Sequence, residues 1–81
     1  MDLQDYEFYM QLFKRSRKKD GMTGAEIKKH YINAFHYSVS QPTINKHLQE
    51  LIQRGEITSH FNITGAKKVP AHFYQLKTKN I

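Results

Sequence analysis

The sequence predicts a mostly helical α+β domain in which three amphipathic helices precede a C-terminal, two-stranded β-hairpin. Three observations predict it. Apolar residues recur at helical spacing in three successive stretches, two of those stretches open with a hydroxyl capping signal, and beyond Gly55 the pattern switches to strict alternation.

The first helix is expected over 5–19. Tyr6, Phe8, Tyr9, Leu12 and Phe13 fall within half of a helical wheel, and Glu7, Gln11, Lys14 and Lys18 fall opposite. Its end is the basic run Lys14-Arg15-Ser16-Arg17-Lys18-Lys19, which suits the negative pole of the helix dipole, and Asp20-Gly21 supplies a stop. A solvated helix end explains that run, with a phosphate contact as the competing reading.

The second helix starts at a capping box. In Thr23-Gly24-Ala25-Glu26 the hydroxyl of Thr23 can accept from the Glu26 N–H while the Glu26 carboxylate reaches back, with Met22 and Ile27 as the apolar staple. Ile27, Tyr31, Ala34 and Phe35 form its core stripe, and it runs to about His36. The third helix, over 41–54, repeats this logic. Ser40 is the N-cap, Pro42 sits in the first turn, Val39 staples onto Ile44, and Gly55 takes the left-handed position past the end. Ile44, Leu48 and Leu51 line its buried face.

Ile57, Ser59, Phe61 and Ile63 alternate with Thr58, His60 and Asn62, and His72, Tyr74 and Leu76 alternate with Phe73, Gln75 and Lys77. These are the two strands, joined by a turn over 64–71. The inward residues are expected to pair Phe61 with Tyr74 and Ile63 with His72.

At 81 residues the chain fits one domain spanning 1–81, with an ordered core of about 5–78. Its hydrophobic share of 38% is low, but five Phe and five Tyr give each core position a large apolar area. Thirteen Lys plus Arg against seven Asp plus Glu leave a formal charge of +6, which favours polyanionic partners, nucleic acid ahead of anionic membrane. With no cysteine there is no disulfide, thiolate metal site or cysteine nucleophile. Neither a membrane-spanning run nor a leader pattern is legible, so a cytoplasmic protein without membrane association is expected.

The run 39–57, opening Val39-Ser40-Gln41-Pro42-Thr43-Ile44-Asn45-Lys46 and closing Arg54-Gly55-Glu56-Ile57, resembles the helix-turn-helix of winged-helix transcription regulators. The tail Phe73-Tyr74-Gln75-Leu76 resembles their closing wing strand. That superfamily includes the ArsR-, MarR- and GntR-like regulators, and no subfamily is assigned. The metal-binding Cys signature of metal-sensing members is missing, as are the long extra helices of the MarR-like dimer interface, so a homodimer stays open. Asn45 and Lys46 are also similar to the helix of Z-form nucleic-acid binders, but Gln49 stands at their tyrosine position and their Pro-Pro-Trp wing signature is absent. The resemblance implies a winged helix-turn-helix, three helices plus a two-stranded wing, that binds double-stranded DNA as a transcription regulator.

Major-groove readout needs short or flexible polar side chains near the start of an exposed helix. Gln41, Thr43, Asn45, Lys46 and Gln49 supply them, with Asn45, Lys46 and Gln49 opposite the buried stripe. Any surface helix is polar, but amides in place of Glu and a single acid, Glu50, before Arg54 favour readout. Lys67 and Lys68 at the wing tip are expected to touch phosphates or enter a minor groove; they equally protect a hairpin edge from pairing with a neighbour.

The five histidines, His30, His36, His47, His60 and His72, show no metal-ligand spacing and read as core-edge or surface residues. No serine lies in a nucleophile motif. The chain is therefore expected to be a binding protein that is not an enzyme and uses no cofactor and no metal. The alternative is a winged-helix adaptor that offers its Tyr-rich first helix to a protein partner without reading DNA.

Overall fold

In the computed structural model the chain runs α1 (Leu3–Arg15), β1 (Met22–Thr23), α2 (Gly24–Phe35), α3 (Gln41–Gln53), β2 (Ile57–Thr64) and β3 (Val69–Leu76). Residues 1–16, 21–64 and 69–77 are described, with the backbone alone at 62–64, 69 and 70. The fold is a small α+β arrangement of three helices on a three-stranded antiparallel sheet of order β1-β3-β2. None of these helices is long and apolar enough to cross a membrane.

The caps explain where the helices begin. Asp2 accepts from the Asp5 N–H at 2.9 Å, so α1 starts two residues earlier than its apolar stripe suggests. The Thr23–Glu26 capping box is formed, with Thr23 Oγ1 accepting from the Glu26 N–H at 3.3 Å and Glu26 Oε1 accepting from the Thr23 N–H at 3.2 Å. Ser40 caps α3, and Pro42 occupies its first turn, where a missing N–H costs nothing. At the far ends His36 turns left-handed at φ 61° and Gly55 at φ 77°.

α1 closes at Arg15, where Ser16 leaves in an extended conformation while its N–H still bonds the Leu12 carbonyl. The expected continuation to Lys19 and the Asp20 stop signal lie outside the described residues. Gly21 has a different task from ending a helix. At φ 91° it brings the chain so close to β3 that a Cβ there would lie 2.5 Å from the Tyr74 carbonyl oxygen.

A two-stranded hairpin was expected; the third strand, β1, corrects it. Met22 and Thr23 pair with Tyr74 and Phe73, so the two residues that staple and cap α2 also extend the sheet. The register is corrected too. Phe61 pairs with His72, Ser59 with Tyr74 and Ile63 with Pro70, two residues away from expectation. A shift by two preserves the faces, since strand side chains alternate with period two. It arises because the ladder extends through Thr64 and Val69, which leaves a shorter connection than 64–71. Pro70 fits within β3 because β1 pairs only at residues 73 and 74, leaving that edge open for a residue without an N–H.

The core gathers Tyr9, Phe13, Met22, Ile27, Tyr31, Ile44, Leu48, Leu51, Ile57 and Tyr74 between helices and sheet. Burying an aliphatic side chain of this kind stabilises the fold by about 1.5–3 kcal/mol. Two expected assignments change. Ala34 is exposed, and Phe73, on the outward side of β3, is buried with His60 stacked on it at 5.8 Å.

Candidate nucleic-acid interface

The face of α3 is set by what holds its other side. Ile44, Leu48 and Leu51 are wholly buried, and half-buried His47 meets α1 through a 2.8 Å hydrogen bond between its Nδ1 and the Tyr9 hydroxyl. Tyr6 closes the far end of the helix, donating to Glu56 Oε1 at 2.6 Å while Arg54 lies over its ring. These contacts fix the roll of α3. Thr43, Asn45, Lys46, Gln49 and Gln53 therefore face outward.

Gln41 does not share that freedom. Its Nε2 donates to the Gly24 carbonyl at 3.1 Å and to Asn45 Oδ1 at 3.1 Å. Because a carbonyl can only accept, the Gly24 oxygen sets the Gln41 amide with its NH2 inward, and the second N–H then takes the Asn45 oxygen. Asn45 is exposed, with its amide oxygen held by this bond. A Cβ at Gly24 would come within 3.1 Å of that Gln41 nitrogen and 3.5 Å of Asn45 Oδ1, so the Gln41 amide would have to shift slightly to admit a side chain there. Gln41, expected to contact DNA, is half-buried and makes both of these bonds within the protein.

Thr43 is exposed, but its hydroxyl lies 2.9 Å from Ser40 Oγ and so belongs to the cap. Lys46 and Gln49 line a shallow groove with Met1, Glu50 and Gln53. Glu50, the only acid of α3, is flanked by the terminal ammonium at 3.6 Å and by Arg54 at 3.5 Å, which offset its charge beside Lys46. Asn45, Lys46 and Gln49 thus form one exposed row with little negative charge. Lys67 and Lys68 lie outside the described residues.

The histidines are dispersed. His30, His36 and His72 are exposed, His47 and His60 half-buried, and among the described residues no cluster of three His, Asp or Glu side chains could hold a metal. Of the first-helix tyrosines on which the adaptor alternative draws, Tyr9 is buried and Tyr6 half-buried. Tyr9 is wholly buried, and its hydroxyl is pushed up by that burial, while Tyr6 is raised chiefly by its bond to Glu56. Tyr31 joins Asp5 Oδ1 and the Tyr37 hydroxyl at 2.8 Å each and is raised by burial first and by these bonds second.

Sequence reasoning missed two features. The Gln41–Gly24 interlock depends on a tertiary contact that leaves no local signal. Phe61, expected inward, has an exposed ring, and strand alternation carries no signal of how far along the sheet the helices cover it. Compared with protein-family models, with curated proteins and with solved structures, the chain finds no match in any of the three.

Proposed function

We propose that this chain is a winged-helix protein that binds double-stranded DNA with sequence preference and acts as a transcription regulator. α3 enters the major groove, and the β2–β3 hairpin with Lys67 and Lys68 rests on the backbone or in the minor groove. The observation that carries the reading is the exposed row Asn45, Lys46 and Gln49, opposite the buried Ile44, Leu48 and Leu51. Asn and Gln can pair bidentately with adenine, and Lys with guanine, so the row holds suitable groups at groove-reading positions. Support also comes from the order of elements, which places a capped helix pair ahead of a β-hairpin, and from the formal charge of +6. The protein then acts by binding, in the cytoplasm, without catalysis or cofactor.

Titration of the pure protein with random-sequence duplex across a salt series tests this. Neutralising about 4–6 phosphates gives a log–log slope near −4 to −5, whereas a slope shallower than about −1.5 removes the electrostatic basis of the proposal.

A second reading, the protein-interaction adaptor, draws on a different surface. A groove between α1 and α2 is lined by Phe8, Leu12, Arg15, His30 and the exposed Ala34. If this groove is the functional one, Ala34→Glu abolishes a stoichiometric protein complex while leaving duplex binding untouched.

A further inference from the structure

The β2–β3 ladder carries the core face of the sheet out beyond the helices. Ile57 and Tyr74 lie on that face and are buried, and the same alternation leads to Phe61 and its cross-strand partner His72. Phe61 is 65% exposed, against 1% for Ile57. Its ring centroid lies 3.7 Å from that of His72 at an interplanar angle of 43°, so the two rings are tilted neighbours. Exposing so much of a large apolar ring is unfavourable in water, and the tilted neighbour covers only part of it.

This pair adjoins the α3 face. His72 lies 6.3 Å from Tyr74 between centroids, and the Tyr74 ring edge would be 3.9 Å from a Cβ on Gly24, the residue that meets Gln41 and Asn45. Asn45 is thus bonded through Gln41 to Gly24, which neighbours Tyr74, and His72 and Phe61 follow on the same face of the sheet. The charge pattern is one-sided. No Asp or Glu occurs from Ile57 to Ile81, a stretch that holds Lys67, Lys68, Lys77 and Lys79. A second copy pairing this segment with itself would bring together two stretches of solely positive formal charge. Nucleic acid instead supplies a π face for the ring and phosphates for the lysines.

We propose that Phe61, beside His72, stacks on a base step of the bound duplex at the edge of the site read by α3. The proposal rests on the DNA-binding reading above. An aromatic side chain entering a groove partly unstacks the step it meets, and such stacking is tolerant of sequence.

The experiment compares the full chain with Phe61→Ala and Phe61→Tyr on a duplex carrying a fluorescent adenine analogue that brightens on unstacking. Phe61→Ala is expected to weaken duplex binding by about 5- to 150-fold and to abolish the brightening, and Phe61→Tyr to restore both. The salt slope should not change, because no phosphate contact is lost. Thermal melting of each variant reports folding, which an exposed position leaves intact. If the parent chain binds duplex and Phe61→Ala binds equally well with the same brightening, the stacking proposal fails while the DNA-binding reading stands. If the parent chain binds no duplex, both fail. Loss of binding to anionic phosphatidylserine vesicles in Phe61→Ala, with duplex binding unchanged, also overturns the proposal and assigns the ring to a lipid surface.

Discussion

Replacing Leu48 by alanine removes a side chain with no solvent exposure from the middle of α3. The lost transfer energy and the cavity left behind together cost about 2–5 kcal/mol. For a chain of 81 residues the whole stability is about 4–12 kcal/mol, so the loss is a large fraction of it. At about 4–8 °C per kcal/mol for a domain of this size, a loss of 3 kcal/mol lowers the melting temperature by 12–24 °C. Gln49, the next residue along, is exposed, and its replacement by alanine costs under about 0.5 kcal/mol. Circular dichroism melts of the two variants, recorded side by side, measure the contrast. Equal shifts would refute the reasoning, because α3 would then be rolled differently and Asn45, Lys46 and Gln49 would not share an outward face.

Two further outcomes follow from close packing and from burial. Gly21→Ala places a Cβ 2.5 Å from the Tyr74 carbonyl at a left-handed φ, so it should destabilise by more than about 1 kcal/mol in urea titration, and a neutral result would mean that β1 does not dock on β3 as described. Tyr9 and Tyr31 are raised above their ordinary pKa of 10.0, by burial first, with bonds to Tyr37 and Asp5 adding to the effect for Tyr31. A phenol raised in the folded state contributes stability that is whole below its unfolded pKa of about 10 and is lost as pH rises from there through the folded value. Alkaline titration should therefore show these two ionising together with loss of ellipticity, and ionisation near pH 10 in a still-folded chain would contradict their burial.

The helix starts were legible because capping is local. Thr23 with Glu26, and Ser40 with Pro42, announce their helices within four residues, and the Ile44, Leu48 and Leu51 stripe fixes which side of α3 is wet. What escaped depends on distant partners. A strand of two residues has no periodicity, so β1 is visible only once Tyr74 and Phe73 are beside it. Ala34 has the spacing of a core residue but is exposed in the groove between α1 and α2, whereas Phe73 has outward parity and is covered by His60. In the candidate interface the wheel located Asn45, Lys46 and Gln49, yet could not reveal that Gln41 spends its amide on Gly24 and on the Asn45 oxygen.

The most direct test of the DNA-reading claim is the ratio of affinities for a selected duplex and for random duplex, measured for the parent chain and for Asn45→Ala and Lys46→Ala. Each substitution should remove base-edge contacts worth about 1–3 kcal/mol from the selected site and little from random DNA, so the ratio collapses, whereas Lys67→Ala with Lys68→Ala lowers both affinities and leaves it standing. An unchanged ratio in Asn45→Ala and Lys46→Ala would contradict the account, since α3 would then hold DNA without reading it.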